Sequence, residues 1–149
     1  MDNPKEKTAV YKIEDMREGL KFTFCKVIEK KDIDDFIILS GDISPMHVSD
    51  QFARSRGFTG RVVHGALLIS YLSKVLGVHF PGENCLLQGL NLKFLSPTYI
   101  NDTVEFVVTV DHLSIGANAA ILDVAIKNVK SRVMLVKGKA QIGFTKRRE

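Results

Sequence analysis

The spacing of apolar residues changes several times along the chain, and each change predicts an element. From Phe22 to Ile28 (FTFCKVI) the phenylalanines stand two apart, the period of a strand. From Lys31 to Leu39 (KDIDDFIIL) the apolar positions Ile33, Phe36 and Ile37 switch to helical spacing, with Asp32 placed to cap the start and Ser40-Gly41 to end it. Asp42 to Gly60 carries Pro45, Gly57, Gly60 and many polar groups. It reads as a structured loop with a short helix over Ser49 to Arg56, on whose face Asp50 and Arg54 are spaced to pair. From Arg61 to Phe80 the residues Val62, Val63, Ala66, Leu67, Leu68, Ile69, Leu72, Val75 and Leu76 cover nearly every side of a helix, and a helix apolar on all sides must be buried.

The remainder alternates. Leu86, Leu90, Leu92 and Phe94 share one parity, as do Val104, Phe106, Val108 and Val110, and then Ala120, Leu122, Val124 and Ile126, so three strands each with one dry face are expected. The last strand, Val133 to Phe144, sets Met134, Val136, Gly138, Ala140, Ile142 and Phe144 on one face. The small Gly138 and Ala140 in mid-strand suggest that something bulky, such as the helix, comes close there. Turns at Pro97 to Asp102, Ser114 to Gly116 and Asn128 to Ser131 join consecutive strands by short links, favouring antiparallel pairing. The fold class is α+β: an antiparallel sheet wrapped around a long central helix.

Composition narrows the class. With 149 residues, 45% of them hydrophobic and 26% charged, the chain suits a single domain over residues 1–149 with its own core and needs no cross-links. The first dozen residues and the last five look loose. No apolar stretch is long enough for a membrane span. Met1 to Glu18 lacks the apolar centre of a secretory signal, and Cys25 and Cys85 form neither a CxxC pair nor a disulfide scaffold, so a reducing cytoplasm is expected. The net charge of +4 is uneven: Lys127 to Glu149 holds eight bases and one acid, and the rest holds thirteen bases and sixteen acids. A basic end suits a polyanion, a phosphorylated carrier or a solvated strand face ending in Lys146-Arg147-Arg148. No aromatic residues interleave with these bases, which speaks against a nucleic-acid surface.

Two clusters carry chemistry. In Ser40-Gly41-Asp42-Ile43-Ser44-Pro45-Met46-His47 an acid and an imidazole five residues apart, stiffened by glycine and proline, can meet over one water as general acid/base groups. The same residues also suit a plain turn cap and a histidine bound to a backbone carbonyl. In Val63-His64-Gly65-Ala66 a glycine opens the helix, where free backbone N–H groups and the positive end of the helix dipole would favour a developing oxyanion. Tight packing at Gly65 and a structural hydrogen bond from His64 explain that dipeptide equally well. Tyr71, Ser70, His79, His112 and Gln88 have suitable chemistry for a pocket, and satisfied core or surface positions suit them too.

Together the two clusters resemble the MaoC-like dehydratases, or (R)-specific enoyl-CoA hydratases. There a Ser-Gly-Asp-x-Asn-Pro-x-His segment precedes a central helix opened by His-Gly. The resemblance runs from about Phe36 through Val110, and more loosely to Phe144, and it agrees with the hot-dog fold of that family. Ser44 stands where the family has asparagine, and Met46 where an aliphatic residue is usual; serine is shorter and lacks the amide pair. The resemblance implies Asp42 and His47 as the catalytic pair and the Gly65 N–H as donor to a thioester carbonyl. Ser44, Met46, His64, Ala66 and Leu67 are expected at the substrate, with Leu86 to Leu95 and the inner helix face supplying an apolar acyl tunnel whose size Met46, Leu67, Leu68 and Ile69 set. It implies a hydro-lyase acting on 2-enoyl or (R)-3-hydroxyacyl thioesters of CoA or acyl carrier protein, with no cofactor and no metal.

Two further readings fit the same residues: a hot-dog thioesterase driven by a carboxylate, and a non-catalytic acyl-thioester-binding subunit. The Asp-x4-His loop is more than a hydrolytic carboxylate needs. A single sheet leaves one edge open, so a homodimer is expected, with the pantetheine arm entering near the subunit boundary. Neither a nucleic acid nor a membrane is an expected partner.

Overall fold

The computed structural model describes residues 6–146. Its strands are β1 (Lys21–Val27), β2 (Cys85–Phe94), β3 (Thr103–Ser114), β4 (Ala119–Asn128) and β5 (Met134–Phe144). Its helices are α1 (Lys30–Ser40), α2 (Pro45–Val48), α3 (Asp50–Ser55) and α4 (Gly65–Lys74), the last running on into a wider turn over Val75–His79. The five strands form one antiparallel sheet in the order β1-β3-β4-β5-β2. Its inner face, with Val104, Phe106, Val108, Leu122, Val124, Ile126, Val136, Ala140 and Ile142 all buried, closes on Leu67, Leu68, Leu72, Val75 and Leu76 of the helical segment. This is the hot-dog arrangement that the periodicities predict. None of the described helices is long and apolar enough to cross a membrane.

Several expectations are corrected in detail. The central helix begins at Gly65 rather than Arg61, because Val62 bridges to Tyr99 and the Val63 N–H donates to the Thr98 carbonyl, which holds that stretch extended. Ala66 and Ser70 stay exposed, so the helix is buried on one side and not all round. Asp32 does not cap α1: the cap is Glu29, and Asp32 sits at the third helical position and accepts from the Glu29 N–H, a capping box. The chain does leave α1 in a left-handed turn at Gly41 (φ 71°). Asp42 to Gly60 holds two short helices where one was expected. Asp50 and Arg54 do not pair: the Asp50 carboxylate accepts from the Arg61 N–H, and Arg54 Nε donates to the Thr59 carbonyl.

Gly138 faces backbone, not the helix. A methyl there would lie 2.0 Å from the Asn91 carbonyl oxygen of β2, so the β2–β5 pairing at this point requires glycine. The Pro97–Asp102 link does not join paired strands: β2 pairs with β5, and β3 lies between β1 and β4. β2 is also not dry, since Leu86, Leu87, Leu90 and Phe94 on this edge strand are exposed. The N-terminal segment is tied down, with the Ala9 N–H donating to the Val78 carbonyl and Ile13 and Met16 buried. Of the basic tail, Arg147 and Arg148 lie outside the described residues. Lys139 is held by Asp111 and Asp123 on the outer face of the sheet.

Candidate active site

Asp42 stands just past the end of α1, where two local hydrogen bonds set its pose. Its N–H donates to the Ser40 hydroxyl, and its Oδ1 accepts from the Ser44 N–H at 3.1 Å, an Asx turn. The second bond uses the main chain of residue 44, so the serine found there supplies it without an asparagine side chain. Oδ2 is left free on a carboxylate that is 48% exposed. Three residues on, Pro45 opens α2, the fixed φ of proline suiting a first helical position, and the single turn presents His47.

The His47 ring is oriented from behind. Its Nδ1 lies 2.6 Å from the Val62 carbonyl oxygen. A carbonyl only accepts, so in the neutral ring the hydrogen is on Nδ1 and the lone pair is on Nε2. That Nε2 faces Asp42 Oδ2 across 3.9 Å, too long for a direct hydrogen bond and wide enough for one water to donate to both.

His64, the residue before α4, is buried to 1% exposure and completes the group. Its Nε2 donates to the Asp42 backbone carbonyl at 3.1 Å, and its ring stacks on His47 with centroids 3.8 Å apart and planes 26° from parallel. The edge of the Phe36 ring closes the other side. Burial pushes the His64 pKa below its ordinary value; the Asp42 carbonyl opposes this, and the neighbouring His47 pushes it further down. His64 is therefore a neutral donor that fixes the loop, reached through Asp42 rather than placed on the cavity wall.

Beside this group opens a cavity of about 380 Å³ lined by His47, Val63, Gly65, Leu68, Phe94 and Thr98, among others. Gly65 is the first residue of α4, so its N–H has no acceptor within the helix. The Phe94 ring rests against it, and an alanine methyl at position 65 would come within 2.8 Å of that ring.

The structure thus brings Asp42, His47, His64 and Gly65 together. Ser44 acts through its main chain, and the Met46 carbonyl accepts from the Val62 N–H. Ala66 is exposed and Leu67 is in the core; the next residue, Leu68, is the one on the cavity. Tyr71 stands under Lys26, its hydroxyl pushed up by burial and by Asp32. His79 stacks on Phe22 and Phe24, Gln88 bonds Gln141, and His112 lies near Glu18; none of these lines the cavity. Phe94 and Leu95, from the stretch Leu86 to Leu95 expected at the acyl tunnel, do line the cavity. Sequence reading missed Arg61, Phe58 and Thr98, and Arg61 gave no signal. A larger cleft of about 510 Å³, lined by Lys12, Glu14, Glu83, Asn84 and Lys146 among others, shares no residue with this site.

Asp42 Oδ2 and one nitrogen from each histidine lie within 4.8 Å of one another, a donor set with the chemistry for a borderline divalent cation. His64 Nε2, 3.9 Å from Asp42 Oδ2, already donates to the Asp42 carbonyl, so ligation through it would break the bond that holds the loop.

Residues 11–132 match the model of the family described as "MaoC like domain". The chain is 39% identical over 100 residues to an "(R)-specific enoyl-CoA hydratase" of Rhodospirillum rubrum, covering 67% of this chain and 69% of that one. It is 33% identical over 111 residues to a mitochondrial "3-hydroxyacyl-[acyl-carrier-protein] dehydratase" of Arabidopsis thaliana, covering 74% and 66%. The matches thus span about two thirds of these relatives. The solved (R)-hydratase from A. caviae involved in PHA biosynthesis superposes with a TM-score of 0.83 at 29% identity, over 89% of this chain and 99% of that one. With the fold, the acid–imidazole loop and the His-Gly opening of the central helix all in place, the chain belongs to the MaoC-like domain family.

Proposed function

We propose that the protein is a hydro-lyase that hydrates 2-enoyl thioesters and, in reverse, dehydrates (R)-3-hydroxyacyl thioesters. In this reading Asp42 and His47 act on one water, and the Gly65 N–H acts on the thioester carbonyl. The observation that carries it is the free carboxylate oxygen facing an imidazole lone pair across 3.9 Å, beside the N-terminus of α4. The matched relatives are named for this pair of reactions, on CoA and on acyl-carrier-protein thioesters.

A water in the gap donates one O–H to Asp42 Oδ2 and the other to His47 Nε2, which turns an oxygen lone pair toward the cavity. As that oxygen bonds to C3, the proton on the His47 side passes to Nε2. The electron pair of the C2–C3 double bond moves into the C1–C2 bond, and the carbonyl pair moves onto oxygen. The enolate oxygen so formed accepts from the Gly65 N–H, at the positive end of the α4 dipole, where its charge is better stabilised than that of the ground-state carbonyl. The enolate then collapses as C2 takes the proton from Nε2. One water is added, no proton is gained or lost, and the steps run backwards for dehydration. Leu68, Phe94, Leu95 and Pro97 give the acyl chain an apolar lining.

The same reading includes a homodimer. The outer edge of β2 has no partner strand among the described residues, and it exposes Leu86, Leu87, Leu90, Phe94 and Leu95. An open apolar edge of this kind is normally covered, and a second copy of β2 would cover it symmetrically.

The test is the enoyl-thioester absorbance of crotonyl-CoA, longer enoyl-CoA substrates and their acyl-carrier-protein counterparts, followed with the wild type and with Asp42→Asn. The expected result is loss of the band with the wild type alone and an (R)-3-hydroxyacyl product by chiral analysis. An unchanged band across chain lengths and both carriers overturns the proposal. Release of free thiol would instead make the protein a thioesterase, and tight binding without turnover would make it a non-catalytic acyl-thioester-binding subunit.

A further inference from the structure

Arg61 is one of three polar or charged residues buried among the described ones, at 9% exposure, yet it does not line the cavity beside Gly65 and takes no step of the proposed reaction itself. Its contacts converge on His47. Arg61 Nε donates to the His47 carbonyl at 2.6 Å, a carbonyl at the end of a helix too short to supply its own donor. The other side of the guanidinium is held by Asp34 of α1, with Nη2 donating to Oδ1 at 2.9 Å, and the Arg61 N–H donates to the Asp50 carboxylate of α3 at 2.8 Å. The next residue continues the attachment: the Val62 N–H donates to the Met46 carbonyl at 3.0 Å, and the Val62 carbonyl accepts from His47 Nδ1 at 2.6 Å. Residues 46–47 and 61–62 are thus joined by three hydrogen bonds, one of which selects the ring tautomer that leaves Nε2 free.

We propose that Arg61 is a positioning residue: by tying the His47 carbonyl to Asp34 it keeps the Val62 carbonyl opposite His47 Nδ1, and so keeps the Nε2 lone pair aimed at Asp42. The proposal rests on the hydro-lyase reading only for its kinetic consequence. The clamp itself is a statement about the His47 ring that holds whatever the reaction. A lysine cannot reproduce it, because a point charge cannot serve both the His47 carbonyl and Asp34 with the fixed fork of a guanidinium. Asp34 is held below the usual carboxylate range, chiefly by Lys30 and next by Arg61, so it stays ionised and available to the fork at neutral pH.

The experiment compares wild type, Arg61→Met, Arg61→Lys and Asp34→Asn by two readouts. One is crotonyl-CoA hydration, with folding checked by circular dichroism. The other is the ¹⁵N chemical shifts of the His47 ring, which report the tautomer with no substrate present. Arg61→Met, which keeps the stem and removes the donors, is expected to lower kcat about 10- to 100-fold with KM within about twofold, as for loss of alignment rather than of binding. Its His47 shifts should move from a single Nδ1–H tautomer toward a mixture. Arg61→Lys should fall between, and Asp34→Asn should give a smaller loss in the same direction. If Arg61→Met does not fold, Asp34→Asn decides the matter, since it loosens the fork and leaves residue 61 alone. Wild-type His47 shifts in the folded variants, or a loss of kcat no greater than the loss of folded protein, overturns the proposal. Altered shifts in a protein that hydrates nothing leave the clamp standing and remove the hydro-lyase reading.

Discussion

His47 and His64 lie face to face with ring centroids 3.8 Å apart, and only one of them reaches the cavity. The buried partner resists protonation, because a charge on it would be desolvated and would sit against a second imidazole. In the unfolded chain the same ring titrates near its ordinary value of 6.5. Below that pH the unfolded state holds the extra proton, so stability is complete above about pH 6.5 and falls on acidification until the folded ring itself titrates. From this group alone the slope is at most about 1.4 kcal/mol per pH unit. Urea unfolding between pH 5 and 8 should show the fall in wild type and a flatter profile in His64→Gln.

Asp42→Asn and His47→Gln each remove one acceptor from the proposed water while leaving the backbone bonds of the loop in place. Steady-state hydration should drop about 10²–10⁴-fold for each, with thermal melts close to wild type because Asp42 is half-exposed and neither side chain belongs to the core. The double variant should lose little more than either single one, as for groups that act on the same water.

Gly65 allows its N–H to be removed without removing a helix bond. Proline suits the first helical position, and His64 at φ −57°, ψ 130° has the backbone that proline requires before it. The steric conflict is with the Phe94 ring, so the informative comparison is Gly65→Pro/Phe94→Ala against Gly65→Ala/Phe94→Ala. The proline version should fall a further 10²–10³-fold or so in kcat, the scale of a lost oxyanion donor. Equal rates would remove Gly65 from the mechanism.

Leu90 stands mid-way along the open edge and is 38% exposed. Leu90→Lys places a charge where a second copy is expected to pair, as natural edge strands do to block association. Sedimentation velocity should show wild type as a dimer and the variant shifted to monomer. A wild-type monomer at micromolar concentration contradicts the proposed assembly.

The elements were legible because the apolar period states them: the parity of Val104 to Val110 and of Ala120 to Ile126 marks two strands whose buried residues are those very positions. That Asp42 and His47 would face one another was legible because they stand five residues apart on one stiffened loop, and only the family resemblance set them beside Gly65. What stayed hidden depends on contacts between distant segments. Nothing near Arg61 announces that Asp34 and the His47 carbonyl will converge on it. Gly138 is read wrongly as long as the strand paired with it is unknown. Leu67 and Leu68 could not be told apart because the run from Ala66 to Ile69 is apolar throughout, and only packing decides which of them turns to the core and which to the cavity.

Phe94 and Leu95 belong at once to the rim of the sheet and to the wall of the chamber beneath it. Whatever seals that rim therefore also sets the ceiling over Gly65, and a protomer in isolation offers a chamber with one side unfinished. In the proposed dimer the choice among acyl groups would then be a property of the assembly, and substitutions far from Asp42 along the rim would retune it without touching an acid, a base or a donor.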